Sequence, residues 1–334
     1  MYKSYLTIFY ALISPVYSIS TAPSKSLTTA SGLKVSSYGL GGAARSTQPS
    51  SLPSLYFEEI TKRTEAAVHE RVAPFYFYYN PHRYPQFMSG VKDICNSNTK
   101  SRDDIFVAGG GTDRGIDALE QRLSDCLKYC GGTYLDAFFI EYVVPSELVY
   151  DEHSQSNMKK PGDELSVALK HAQQWLENGS VRYVGISTHS HEVGAILANC
   201  PEVDILMLRF GMSHKHAAEN ISLPAAEHNG KPVIAFTTTR WNSLQDGIDN
   251  DKNQWPQGDA PSSSTCLSFA FGARTSPPIE AVLHSARNED ELLESMAGLR
   301  YLSEAEDEKW RKYGEIFEDV NADNFDEYPK ERYY

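Results

Sequence analysis

An α/β fold made of repeated strand–helix units is what this chain predicts, and three observations carry it. From residue 105 onward, short apolar runs alternate with helical patterns, as they do when each strand of a parallel sheet is followed by a crossover helix. Glycines stand where two of those helical patterns stop, at Gly131–Gly132 and at Gly179, the place a left-handed helix cap favours. The 334 residues exceed an ordinary domain, yet a barrel of about 250 residues with insertions holds them as one unit.

Leu33 to Leu40 predicts a strand running into the glycine cluster Gly39, Gly41 and Gly42, and Tyr56 to Val72 predicts the first helix. Ile105 to Ala108 reads as a buried strand, after which Ile116, Leu119, Leu123 and Leu127 recur at helical spacing. Leu135 to Val143 is the next strand. Leu165, Leu169, Ala172 and Leu176 line the following helix, and Val181 to Ile186 is the strand after it. The rhythm continues with a short helix at Val193, Ile196 and Leu197, a strand from Val203 to Phe210, a helix from Pro224 to His228 and a strand from Pro232 to Phe236. Gln245 to Ser264, rich in acidic residues, Pro, Gly and Ser around Trp255, predicts a long surface loop. Cys266 to Gly272 then predicts an apolar helix, Glu280 to Leu283 a strand and Glu289 to Leu299 a helix. Ser303 and Glu306 form a capping box for a last helix through Phe317. Right-handed crossovers let such units close into a barrel or remain an open, doubly wound sheet. Periodicity leaves both open.

Composition narrows the function classes. A net charge of −13, without a compensating Lys/Arg stripe, speaks against a nucleic-acid partner. The five cysteines are scattered and odd in number, unlike a disulfide scaffold; Cys126 and Cys130, four apart on a predicted helix, read as a buried helix face. His189 with His191, and His214 with His216, lack a third ligand pattern, so no metal is expected. At the N-terminus Lys3 precedes the apolar stretch Tyr5 to Ile19, broken by Ser14-Pro15 and followed by small residues. It is too short and interrupted for a membrane span, and its order suits a cleaved signal for the secretory pathway or an organelle such as a plastid. An uncleaved N-terminal extension is the other reading. The expected division is a targeting or extension segment over 1–30, a barrel over 31–318 and an acidic, Tyr-rich tail over 319–334, with no stable membrane span after processing.

Several segments, in order, resemble the aldo/keto reductase superfamily. They are Leu33-Lys-Val-Ser-Ser-Tyr-Gly-Leu-Gly-Gly42, Tyr134-Leu-Asp-Ala-Phe-Phe-Ile140, Leu176-Glu-Asn-Gly-Ser-Val-Arg-Tyr-Val-Gly-Ile-Ser187, Pro232-Val-Ile-Ala-Phe236 and Leu283-His-Ser-Ala-Arg-Asn288. The resemblance implies a closed (β/α)8 barrel of the TIM type and a nicotinamide cofactor, NADP or NAD, at the carboxyl ends of its strands. It places Ser187 and Thr188 at the positions that hold the nicotinamide carboxamide, although the partner glutamine is replaced by Met207. Phe236 falls at the stacking aromatic, Arg240 beside Thr237 to Thr239 near the pyrophosphate, and Ser285, Arg287 and Asn288 in the late cofactor loop. The arginine expected four residues beyond that loop's basic position is Glu291, which weakens any claim for a 2′-phosphate.

The family's reductases use aspartate, tyrosine, lysine and histidine, the tyrosine giving a proton to the carbonyl oxygen. Here the strand that should end in aspartate reads Ala73-Pro-Phe-Tyr-Phe-Tyr-Tyr-Asn80, the lysine position is Gly110 and the histidine position is Glu141. Without the lysine, nothing nearby lowers a tyrosine pKa from its reference near 10. A glutamate at the histidine position resembles members of the family that reduce conjugated enones, so Glu141 is the first candidate acid, with Tyr79 and His82 as further proton carriers. Structural alternatives stand beside each: a salt-bridged Glu141, and aromatics that merely fill barrel layers. Three functions remain: a divergent NAD(P)-linked oxidoreductase acting on a small carbonyl or enone, a catalytically inactive barrel serving as a binding or assembly subunit, and a non-redox lyase or isomerase using Glu141.

Overall fold

The computed structural model describes residues 26–42, 48–66, 71–78, 80–97, 102–151, 159–240, 242–246, 259–272 and 279–317. The expected targeting segment up to residue 25, Tyr79, the middle of the predicted long loop (247–258) and the tail lie outside the described residues.

Eight parallel strands close into a barrel: β1 (Lys34–Gly41), β2 (Val72–Tyr78), β3 (Phe106–Gly111), β4 (Leu135–Ile140), β5 (Val181–Thr188), β6 (Ile205–Arg209), β7 (Val233–Phe236) and β8 (Ala281–His284). They follow one another around the barrel in chain order, and β8 pairs back onto β1. Closure removes both sheet edges, so the barrel, not the open sheet, is the fold. Outside lie α1 (Leu52–Ala66), α2 (Pro85–Cys95), α3 (Ile116–Tyr129), α4 (Asp163–Glu177), α5 (His191–Ala198), α6 (Leu223–His228), α7 (Ser263–Phe271), α8 (Glu289–Ala297) and α9 (Glu304–Ile316). A short antiparallel ribbon, Leu148–Tyr150 with Lys159–Pro161, decorates the loop after β4. Among the described residues no helix is long and apolar enough to cross a membrane.

Several boundaries differ from the sequence expectation, and four of them have a plain physical reason. The first helix begins at Leu52, with Pro53 in its first turn where a missing N–H costs nothing. It ends before Val72, which pairs with Lys34 as the first residue of β2. β3 runs past Ala108 through three glycines, because pairing of Gly110 with Phe139 and Gly111 with Ile140 satisfies the backbone without any side chain. β4 stops at Ile140, short of Val143, since Tyr142 adopts φ 56° and turns the chain. The last helix starts as expected: Ser303 Oγ accepts from Glu306 N, and Ser303 N donates to Glu306 Oε2 at 3.0 Å.

Alternation along the strands sends one set of side chains into the barrel and the other against the helices. Val35, Phe75, Phe77, Phe106, Ala108, Ala137, Phe139, Ile205, Met207, Ile234 and Ala281 form the interior cluster. Edge-to-face pairs, Phe75 with Phe106 at 5.2 Å and Phe77 with Phe139 at 5.8 Å, each contribute about 1 kcal/mol beyond their burial. These rings fit because Gly185 offers no Cβ where the Phe139 ring lies. The strand residues that face outward join the helices in the larger core, where Phe138 packs on Trp175 at 4.9 Å.

The floor of the barrel is closed by polar groups that all find partners. Asp136, fully buried on β4, accepts from Arg102 at 2.8 Å, Arg182 at 2.7 Å and the Val107 amide at 2.9 Å. Arg182 also donates to the carbonyls of Thr28 and Thr29 at 2.8 and 3.0 Å. That bond set holds the N-terminal ribbon across the barrel end, and Leu27 packs into the interior cluster. Residues 27–30, assigned by sequence to the leading segment, therefore pack with the barrel. The cysteines are free thiols; Cys95, Cys126, Cys130 and Cys266 are buried, and burial pushes the Cys95 thiol up to about 12.

Candidate active site at the barrel mouth

Side chains that point inward at the carboxyl ends of the strands form the mouth, where barrels of this kind place their chemistry. Glu141 follows β4 directly. Its amide donates to Gly111 O at 2.9 Å, which keeps the β3–β4 register for one more step. The side chain is buried, and Oε1 has no hydrogen-bond partner among the described residues. Burial pushes the carboxyl well above the usual carboxylate range, and the guanidinium groups of Arg122 and Arg114 offset that only in part. Burial thus favours the protonated form of Glu141, which can donate through O–H.

The glycines of β3 explain where that carboxyl fits. A Cβ on Gly110 would collide with Glu141 Oε1, and one on Gly111 would lie 2.9 Å from Arg122 Nε. Any side chain at 110 would thus compete with the Glu141 carboxyl for one space. The two positions are physically coupled.

Arg114 locks the turn behind the acid. It pairs with Glu147 at 2.6 Å and donates to the Glu141 carbonyl at 3.0 Å, while Val144 N donates to Glu147 Oε2 at 2.9 Å. Ser187, at the end of β5, accepts from Tyr142 N at 3.0 Å, which leaves its O–H to donate. Met207 faces Ser187 in register on β6. Thr188 points the other way: its hydroxyl donates to Val143 O at 2.7 Å and accepts from Ser190 N at 3.0 Å. It braces the loop instead of joining Ser187.

Phe236 closes β7, half-buried, with His189 edge-on at 5.0 Å; His189 in turn meets Tyr142 at 5.4 Å. Arg209, buried beside Phe236 in the β6–β7 register, supplies a cation to this wall. Burial, and next the field of Arg209, lowers His189 to about 3 and His191 to about 4, and pushes His214 well below its ordinary value. These histidines are neutral, and His191 is taken up by Ser222 at 2.9 Å.

The turn after β7 carries positive φ at Thr237 (60°), Arg240 (48°) and Asn242 (70°), with Arg240 N closing on Thr237 O at 3.0 Å. The loop after β8 is tied to β1 by Gln48, whose Nε2 donates to Gly41 O at 3.1 Å and Ala286 O at 2.6 Å. Ser285 is exposed there, Asn288 caps α8 by accepting from Glu291 N at 2.9 Å, and Arg287 is paired with Glu291.

Of the residues expected from sequence, the mouth gathers Glu141, Ser187 and Phe236 on its inner wall and Arg240, Ser285, Arg287 and Asn288 on its rim. His82 stands apart. It lies on a short turn with Nε2 2.9 Å from Asp125 on α3, and Asp125 is held down to about 2 because bonds from Lys128 and His82 overcome the effect of burial. Tyr79 lies outside the described residues. Arg122, Arg114, Tyr142 and Arg209 escaped the sequence reading, and His189 entered it only as half of a rejected metal pair; the signal for Arg209 was a single charge inside the apolar run Ile205-Leu-Met-Leu-Arg-Phe210.

A sequence model for a family described as "Aldo/keto reductase family" matches residues 92–306. No curated protein matches this chain. Among solved structures, the holo form of aldo-keto reductase AKR11C1 from Bacillus halodurans superimposes with a TM-score of 0.62 at 14% identity, over 87% of this chain and 96% of that one. Its apo form gives 0.60 at 12% over the same shares. The thermostable aldo-keto reductase Tm1743, in complex with the inhibitor epalrestat, gives 0.57 at 15%, over 84% of this chain and 96% of that one. At such identities the likeness shows the fold alone.

Proposed function

This chain belongs to the aldo/keto reductase family, and from that premise we propose that it is a nicotinamide-dependent oxidoreductase whose proton-donating group is the neutral carboxyl of Glu141, acting on a small carbonyl or conjugated enone. One observation carries the reading: a buried carboxyl at the mouth, pushed up by burial, with Oε1 unpartnered. A carboxylic acid kept neutral at pH 7 donates a strong hydrogen bond to a developing oxyanion, as in sites where an apolar setting raises an acid's pKa.

The residues present fit the nicotinamide half of the cofactor. Ser187 has a hydroxyl proton to give a carboxamide, and Phe236 has a ring that a flat heterocycle can stack on. Thr237 to Arg240 offer hydroxyls and a guanidinium for a diphosphate. When bound, the reduced cofactor supplies a hydride. Glu141 donates its O–H hydrogen bond to the substrate oxygen and stabilises the negative charge that develops there. A saturated carbonyl would take the Glu141 proton on its oxygen; an enone reduced at its β-carbon would hold its enolate oxygen against the Glu141 O–H while solvent delivers the proton to its α-carbon.

The test is direct binding followed by turnover. Nicotinamide fluorescence should change on titration with the full chain, and Glu141→Gln should lower turnover on aldehydes, ketones or enones by about 100-fold or more while leaving cofactor affinity in place. Unchanged turnover in that variant removes Glu141 from the chemistry. A chain that binds no dinucleotide is instead the inactive binding subunit, or the non-redox enzyme.

A further inference from the structure

We propose that Asn178 carries an N-linked oligosaccharide, whose first sugar lies over a groove between α3 and α4. The inference is independent of the nicotinamide reading and rests on the cleaved secretory leader that Lys3 and the apolar stretch Tyr5 to Ile19 predict. Two tripeptides of the chain match the acceptor pattern, Asn178-Gly-Ser180 and Asn220-Ile-Ser222. The fold separates them.

Asn178 caps the end of α4, its amide donating to Gln174 O at 3.0 Å, and Gly179 turns the chain at φ 74°. The Asn178 side chain is exposed and bends forward: Oδ1 accepts from Ser180 N at 2.9 Å, which makes an Asx turn. Its Nδ2, the atom a sugar would join, makes no hydrogen bond among the described residues. Asn199 and Asn229 end α5 and α6 in the same way, yet their Nδ2 atoms are tied back at 2.8 Å to the carbonyls of Ala195 and Ala225. A Cβ on Gly179 would meet nothing within 4 Å, so the turn stands clear of the rest of the surface. Asn220 differs in every respect that matters. It lies inside the helical stretch Ala218–Ser222, and the hydroxyl of Ser222 is fully buried and bonded to His191 at 2.9 Å.

The groove is the second observation. Asn178 and Ser180 border a cavity of about 370 Å³, lined also by Leu123, Leu127 and Trp175 and by Lys128. That volume lies at the small end of the range for ligand pockets, roughly 300–1,000 Å³. An N-acetylated sugar has an apolar ring face for the leucines and polar substituents for the ammonium of Lys128, which keeps donors beyond its bond to Asp125. Ser180 O accepts from Leu135 N at 2.9 Å, tying the turn to the start of β4 at the barrel floor. A glycan there leaves the mouth open. In the transfer, Nδ2 attacks the anomeric carbon of a polyprenol-diphosphate oligosaccharide. A C–N bond forms as the C–O bond to the diphosphate breaks; the polyprenol diphosphate leaves with the electron pair, and one amide proton passes to a base of the membrane transferase.

The full chain, with its own leader, is translated in the presence of endoplasmic-reticulum microsomes and run on a gel before and after peptide N-glycosidase. One upward step in mobility is expected, removed by the enzyme, which leaves an aspartate at position 178 in the peptide read by mass spectrometry. Asn178→Gln and Ser180→Ala should lose the step, whereas Ser180→Thr and Asn220→Gln should keep it. Cofactor titration should give the same affinity for the glycosylated chain and for Asn178→Gln. A chain that gains no glycan, whether it enters the microsomes or stays outside them, overturns the inference. So does a step that survives Asn178→Gln, or one lost in Asn220→Gln.

Discussion

Two carboxyls on one strand meet opposite fates. Asp136 lies at the floor end of β4, fully buried, and accepts from two arginines and a backbone amide. Glu141, just past the other end, is buried with Oε1 unpartnered and two arginines near enough to act only through their field. The first is a structural clamp. The second retains an unsatisfied group of the kind that stable cores avoid and that sites keep for a ligand. The barrel thus places its secured polar network at the end where the N-terminal ribbon crosses, and its unsatisfied chemistry at the end where loops are free to vary.

Asp136→Asn should break this contrast most severely. Two arginines would face a neutral amide, and loss of one member of a buried ion cluster costs about 3 kcal/mol or more; urea denaturation measures it, and a loss below about 1 kcal/mol would mean that the floor is not the clamp. Arg182→Met removes one of the two cations and the bonds to Thr28 and Thr29, but leaves Arg102 in place. Its cost should be smaller, about 2 kcal/mol, and should be accompanied by faster amide exchange in residues 27–30.

Glu141 should behave in the opposite way. Its folded-state pKa lies above the unfolded value near 4.3, so above that pH the native chain holds a proton that the unfolded chain has released. Stability must then fall as pH rises toward the folded pKa, by about 1.4 kcal/mol per pH unit. Glu141→Gln removes the titration, so the variant should gain on the native chain as pH rises above the unfolded carboxyl value. Parallel stability curves for the two proteins would show that the carboxyl is not held neutral. Ser303→Ala, remote from both ends, sets the lower scale: loss of one helix cap should cost about 1 kcal/mol and leave binding at the mouth untouched.

Much of the fold was legible in the sequence because each βα unit carries its own local signals. The α3 and α4 faces (apart from Ile116, which is exposed), the glycine stop at Gly179 and the Ser303–Glu306 box appear where local periodicity and capping chemistry put them. Boundaries slipped where pairing overrode composition, as in the glycine run that extends β3 and in Val72, which joins β2 instead of α1. Within the site, Glu141, Ser187 and Phe236 fall at strand ends that local order could place. Thr188 did not follow Ser187, since adjacent strand residues face opposite ways. His82 also went elsewhere, because its partner Asp125 lies on a helix that the chain reaches only later.

Sequence by itself determined the βα order, the helix caps and the residues that stand at each strand end, since these depend on neighbours within a few positions. Only the tertiary structure decided that the Gly110 space belongs to the Glu141 carboxyl, that Arg102 and Arg182 converge on Asp136, and that Arg209 and burial keep three histidines neutral. Closure of the barrel brings residues from distant strands within a few ångströms in a setting from which water is excluded. There, burial and distance set protonation and pairing, and neither quantity exists along the chain alone.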